Sequence, residues 1–297
     1  MAPHPQSRYT LTTTPTSSST QAIITFHTLP LLLRPPQPSD AQALAHHANN
    51  PKIPVNMRNG FPSPYTLENA QSFIKFVHEN RAPFPAPASA SADAGDAGDA
   101  GGDRERRWLC DYVIVYSGRK GRAPWQEGEG DGDGDGEGDG REEREEVIGS
   151  IGLKFNSPTD VMGQAAEVGY WISEEFWGRG WMTSIVRAFV DWTWKAFPVD
   201  ENVLEAGKAG DVVDVEVKDV QSGARANQKE GSKWRAKGLD SLSAGVFSWN
   251  ATGSARVLEK CGFRKVGVMR GRIWKVVKGV PRRGDEEIWE ILRAGSV

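Results

Sequence analysis

Apolar positions recur along this chain with two distinct periods, separated by long stretches with neither. Leu29–Arg34 reads as a short strand, and Ser39 is placed to cap a helix running to about Asn50. Thr66 is placed to cap a second helix, Leu67 to about Asn80, whose Phe73, Ile74 and Val77 share one face. Trp108–Tyr116 is β-branched and aromatic, Val147–Phe155 alternates around Gly149 and Gly152, and Ala166–Ile172 forms a third strand of this group. Met182–Phe197 is apolar on nearly every side, the pattern of a buried helix. Leu242–Trp249 is a strand, Ser254–Cys261 a helix stopped by Gly262, and Phe263–Met269 and Glu287–Leu292 complete a sheet. The order β-α-α-β-β-β-α-β-α-β-β predicts an α/β fold with a mixed, mostly antiparallel central sheet flanked by helices.

The stretches without rhythm change the picture of size. Residues 82–106, 118–146 and 200–240 are rich in Ala, Pro, Gly, Asp and Lys and offer little to bury, so they are expected to be insertions. Residues 1–20 are Ser/Thr/Pro-rich and are expected to be a disordered tail ahead of a domain spanning 21–297. Removing tail and insertions leaves about 180 residues, the size of one domain. Charge follows the same partition: Glu127–Glu146 holds eleven acids against two arginines, whereas the whole chain is only −3. The foldable part is therefore mildly basic, which suits an anionic ligand.

Two cysteines, Cys110 and Cys261, make neither a disulfide framework nor a four-cysteine zinc site, so a reducing compartment is expected. No apolar run reaches the roughly 18 residues of a membrane helix, and the first residues lack the pattern of a secretory signal. Pro3, Pro5 and Pro15 oppose an amphipathic import helix. The expectation is a cytoplasmic protein, with the nucleus as the alternative, no membrane association and no metal.

The chemically informative stretch is Glu167-Val168-Gly169-Tyr170-Trp171-Ile172, then Trp177-Gly178-Arg179-Gly180-Trp181-Met182 at the start of the apolar helix. A strand, a glycine turn and a helix start aim several backbone N–H groups at one spot, which suits phosphate. A dinucleotide fingerprint would need a glycine where Thr183 stands, and no Gly-Lys-Ser/Thr of a P-loop is present. A tight turn with no ligand is the competing reading.

These residues resemble the GNAT acetyltransferase superfamily, in its ribosomal-protein N-acetyltransferase (RimJ/RimL-like) branch. The superfamily's acyl-CoA loop reads Gln/Arg-x-x-Gly-x-Gly/Ala; Gly180 keeps its central glycine, while Trp177 and Met182 depart from its ends. The run from Asn250 through Ser254-Ala255-Arg256-Val257-Leu258-Glu259-Lys260-Cys261-Gly262-Phe263 is similar to the branch's later segment, with one extra residue between Asn250 and Ser254. Upstream, "LRPPQPSDAQALAHHANNPKI" and "NGFPSPYTLENAQSFI" resemble its first strand and paired helices.

The resemblance implies an acyl-CoA N-acyltransferase fold and acetyl transfer from acetyl-CoA to a primary amine, by direct attack in a ternary complex. It implies a bulged fourth strand splayed from the fifth, with a backbone N–H near Trp171–Ile172 polarising the thioester. The loop Trp177, Gly178, Arg179, Gly180, Trp181, Met182 and Thr183 would cradle the pyrophosphate, with Arg179 either adding charge or lying solvated. Asn250 would bind the pantetheine arm or merely cap a strand end. Glu167 is the candidate base, or a solvated strand carboxylate. The helix tyrosine that many family members use to protonate the thiolate falls at Leu258, so Ser254 or water would serve, or the thiolate leaves unassisted. The loop Pro51–Tyr65, with Arg58, would recognise the acceptor or simply be packed. A non-catalytic acyl-CoA-binding or scaffold protein is the alternative function, and the acceptor and oligomeric state stay open.

Three further patterns are set aside. Asp131-x-Asp133-x-Asp135-Gly136 with Glu142 spells a calcium loop but lacks flanking helices. His46 and His47 have no ligand partners at metal spacing. Eleven tryptophans beside a Lys-rich segment suggest nucleic acid, yet most fall in core patterns, so packing is the better account.

Overall fold

The computed structural model describes residues 9–15, 19–58, 60–79, 82–83, 107–108, 110–119, 143–155, 165–198, 239–277 and 280–294. Most of insertions 82–106, 118–146 and 200–240, and the calcium-like run, lie outside them. The elements in chain order are β1 (Tyr9–Pro15), β2 (Ser19–Phe26), β3 (Leu31–Arg34), α1 (Ala41–Ala48), α2 (Leu67–Glu79), β4 (Ala82–Pro83), β5 (Arg107–Trp108), β6 (Asp111–Arg119), β7 (Glu143–Phe155), β8 (Ala165–Ile172), α3 (Trp181–Ala196), β9 (Ser241–Phe247), α4 (Arg256–Lys260), β10 (Arg264–Val277) and β11 (Val280–Leu292).

One eleven-stranded sheet runs β10-β11-β9-β8-β7-β6-β3-β2-β5-β4, with β1 on β2. Pairing is antiparallel except at β2–β5 and β8–β9. The predicted mixed, mostly antiparallel sheet with flanking helices is therefore what forms. One face packs against α3 and α4, in a core built on Ile114, Ile151, Val168, Phe189, Trp192, Leu242 and Leu258. The other face packs against α1 and α2, where Leu44, Ala48, Ala70 and Ile74 meet Val113, Val115, Val147 and Trp171.

Local chemistry explains the helix starts. Thr66 Oγ1 accepts the Asn69 N–H while Asn69 Oδ1 accepts the Thr66 N–H, closing α2 as expected. Ser39 is not the cap foreseen for α1. Gln37 caps a 3-10 turn at Pro38–Asp40, and Asp40 is held by both guanidinium nitrogens of Arg34 at 2.7 and 2.8 Å.

Four boundaries need correction. The closing hairpin is longer than the expected Phe263–Met269 and Glu287–Leu292: β10 runs to Val277 and β11 starts at Val280, the added length held by pairing between the two strands rather than by a core face. Much of the expected tail is ordered: Tyr9–Pro15 pairs in register with Thr20–Phe26, where Ala22, Ile24 and Phe26 alternate inward. That period of two was readable, but Thr-rich composition masked it. The insertion expected over 118–146 is narrower, because β6 runs to Arg119 and β7 begins at Glu143, the two ends opposite each other. Likewise Ala82–Pro83, at the start of insertion 82–106, pairs with Arg107–Trp108.

Candidate active site

β8 and β9 run parallel and pair at only three positions, Ala165 with Ser241, Ala166 with Leu242 and Glu167 with Ser243. Beyond Glu167, β8 continues to Ile172 on β7 alone, and β9 continues to Phe247 on β11 alone. The sheet therefore opens at its centre, as the resemblance implied. The bulge is elsewhere: β8 pairs with β7 in unbroken register, and the extra residue falls in β7, at Ile148 opposite Ile114 and Val115.

At the wide end of the opening the chain turns through Ser173–Gly180 into α3. Gly178 and Gly180 have φ of 78° and 76°, and a Cβ built on either would meet nothing within 4 Å. The Thr183 and Ser184 N–H groups bond the Gly180 carbonyl. Among the described residues, the N–H groups of Gly178, Gly180, Trp181 and Met182 have no acceptor. The result is an open glycine turn with several donors at a helix start, which suits an anionic diphosphate.

Trp177 is 42% exposed, and its indole N–H donates to the Ile172 carbonyl at 2.8 Å, latching the turn to the end of β8. Trp181 stacks on Tyr116 and Phe176, so only its backbone can face a ligand. Trp171 and Ile172 are likewise buried, in opposite cores. Arg179 is partly buried against the turn. It donates to the Glu175 carbonyl and lies 5.4 Å from the Trp181 ring and 6.0 Å from that of Phe176. Met182 packs partly on the core, and the Thr183 carbonyl accepts from Cys261 Sγ, joining α3 to α4. His47 sits between Ser173 Oγ at 3.0 Å and Glu146 Oε1 at 3.1 Å, tying the foot of the turn to α1 and β7.

Across the opening, Ala251–Ala255 forms a single π-helical turn ahead of α4. This is where the residue extra to the family pattern sits; a wider turn absorbs one residue without shifting the helix that follows. Asn250 Nδ2 donates to Ser254 Oγ at 3.0 Å, and Tyr170 donates its hydroxyl proton to the Ser254 carbonyl at 3.3 Å, bridging the opening from β8. Burial pushes the Tyr170 phenol well above its ordinary value, so it stays neutral. Leu258 is fully buried in the core.

The face of the sheet under α1 and α2 carries Glu167. Burial raises its carboxyl, while Arg58 and Lys154 pull it down and Glu286 pushes it up. Arg58 reaches Glu167 from the α1–α2 loop, which is pinned by Trp249 Nε1 to the Val55 carbonyl and by Lys275 Nζ to the Pro54 carbonyl. The loop that the sequence offered for acceptor recognition thus lies beside the opening. Sequence reasoning missed Glu286 on β11, which also meets Arg58, and Asp111 on β6, whose carboxylate lies over Gly152. Glu286 is one of three consecutive acids, and nothing in the run marks the one that turns inward.

The sequence profile of the GNAT acetyltransferase domain matches residues 30–264. A search of curated proteins returned no match. Among solved structures, spermidine N-acetyltransferase from Vibrio cholerae, in complex with CoA and spermine, is 15% identical, with 90% of this chain and 98% of that one aligned and a TM-score of 0.47. The ribosomal-protein-S5-alanine acetyltransferase from Vibrio fischeri is 15% identical, with coverage of 89% and 94% and a TM-score of 0.46. A GNAT-family acetyltransferase from Bacillus anthracis is 14% identical, with coverage of 88% and 94% and a TM-score of 0.45. With the profile spanning most of the chain, from β3 to the start of β10, this protein belongs to the GNAT acetyltransferase family.

Proposed function

We propose that the protein transfers an acetyl group from acetyl-CoA to a primary amine, of a small molecule or of a peptide or protein N-terminus, by direct attack in a ternary complex. One observation carries this reading: a sheet that opens immediately after Glu167 and leads to the glycine turn before α3. Acetyl-CoA supplies the activated acyl thioester. The residues present fit it, because the open Cβ positions at Gly178 and Gly180 and the unused N–H groups of Gly178, Gly180, Trp181 and Met182 form a diphosphate cradle. The unpaired edge of β8 past Glu167 offers backbone groups to the pantetheine arm and a donor to the thioester oxygen near Trp171–Ile172.

Glu167 is the group that takes the proton of the attacking amine, directly or through water. Ser254 is the candidate proton source for the departing thiolate: Asn250 occupies an oxygen lone pair and leaves the hydroxyl proton free to donate. Asn250 acts here by orienting Ser254. A covalent acyl-cysteine route has little support. Cys110 is buried, and burial holds the Cys261 thiol up at about 11, protonated at neutral pH. We place the activity in the cytoplasm or nucleus, on one domain carrying the three insertions.

The test begins with calorimetric titration of acetyl-CoA. Micromolar binding that disappears in Gly180→Glu supports the donor site; no binding by the folded protein overturns it. Thiol release with a monoamine, a polyamine and a tetrapeptide bearing a free N-terminus then tests transfer. The Leu258 side chain, at the place of the family's tyrosine, favours a second reading, a binding protein without turnover. Glu167→Gln separates the two: an enzyme should lose about 10²-fold in kcat while still binding acetyl-CoA.

A further inference from the structure

The α1–α2 loop sends one cation across the sheet face, and it lands between two carboxylates. Arg58 Nη1 donates to Glu167 Oε2 at 2.9 Å while Nη2 lies 2.8 Å from Glu167 Oε1, so the guanidinium meets the carboxylate as a two-pronged fork. The same Nη2 donates to Glu286 Oε1 at 2.9 Å. Glu286 is 3% exposed and comes from β11, on the far side of β9 from β8. A carboxylate that buried requires a cation, and among the described residues Arg58 is the one that reaches it. Gly245 on β9 makes the meeting feasible: a Cβ there would lie 2.3 Å from Glu286 Oε1 and 2.8 Å from Arg58 Nη2. The anchors at Val55 and Pro54 mean that Arg58 is delivered from a fixed loop rather than a free one.

We propose that Arg58 and Glu286 are positioning residues of the acceptor site: Glu286 holds Arg58, and Arg58 fixes the ionised carboxylate of Glu167 beside the opening between β8 and β9. This rests on Glu167 being the base. Among the described residues, the charges facing Glu167 are Arg58 from the loop, Lys154 opposite it on β7, and Glu286 and Glu290 on the same face of β11, of which Arg58, Lys154 and Glu286 act on its carboxyl. β9 contributes Ser243 and Gly245 to that face and no charge. Arg58 and Glu286 therefore act on Glu167 in opposite directions. Loss of the guanidinium makes the carboxyl harder to ionise, and loss of the Glu286 charge makes it easier.

That opposition is the signature to measure. In the full-length protein labelled with 13C at glutamate side-chain carboxyls, the Glu167 resonance is assigned by its disappearance in Glu167→Gln. Arg58→Met should raise its titration midpoint by about one pH unit, and Arg58→Lys should restore part of the difference. Glu286→Gln, which keeps size and an acceptor oxygen, should lower it. The acid limb of kcat for acetyl-CoA-dependent thiol release, with whichever amine of the panel above turns over, should move in the same directions. Thermal melts confirm that each variant is folded. An unmoved midpoint and acid limb in both Arg58→Met and Glu286→Gln overturn the proposal while the base reading stands. Full turnover in Glu167→Gln sinks the base reading and this proposal with it.

Discussion

Several side chains here are intelligible only from the atom they must not touch. Gly245 leaves room for the Arg58–Glu286 pair, so Gly245→Ala should cost about 1–3 kcal/mol, read from chemical denaturation. Gly152 does the same for Asp111, whose carboxyl burial pushes from 3.8 up to about 7. Folded protein holds that proton up to about pH 7, while the unfolded chain releases it near 4. Asp111 therefore supports folding fully below pH 4, and the support drains away as pH rises through 7. Asp111→Asn should flatten the fall in Tm between pH 5 and 8 and leave the variant the more stable of the two at pH 8. Trp177→Phe tests the latch on the glycine turn. Losing one indole hydrogen bond should cost about 1 kcal/mol, seen as roughly fivefold weaker acetyl-CoA binding in titration calorimetry. At this scale the sequence was uneven. The turn at Gly178 and Gly180 was legible because two glycines before an apolar helix leave the backbone open, and the face of Glu167 because Val168 and Tyr170 alternate away from it. Glu286 and Asp111 were not, since their burial depends on strands far away in the chain.

Elements were more legible than side chains. β3, β6 to β9 and α1 to α4 follow their periods, because each has one face in one of two cores; β10, mostly exposed, has no such face, and its length was not readable. The misreadings have physical causes. β1 and the start of β2 are rich in threonine, which favours strands yet also counts as polar, so composition and propensity pointed opposite ways. The π-helical turn at Ala251–Ala255 was visible only as one residue too many, because no residue type encodes an i to i+5 bond. Deleting Thr252 should convert it to an ordinary turn and leave the fold intact. It should also move Ser254 off the Tyr170 hydroxyl and change acetyl-CoA affinity several-fold. Unchanged affinity would show that the turn merely absorbs length.

For the whole molecule, the insertion between β6 and β7 is the simplest to test. Arg119 and Glu143 are paired, so a hairpin turn can join them in place of residues 120–142. Replacing that stretch with four turn residues should raise stability by about 1–2 kcal/mol in denaturant melts, from the shorter closed loop. A fold that fails would mean the acidic stretch has a structural role. The three-position join of β8 to β9 has another consequence, in the order of synthesis. β9, α4, β10 and β11 leave the ribosome last, after residues 199–238, so for a time β8 is the free border of an otherwise formed sheet. A chain ended at residue 198 should pair with copies of itself through that border, measurable as concentration-dependent oligomers in sedimentation. The gap between β8 and β9 is, to a half-made chain, an unsealed hem, and the last strands close it along only part of its length.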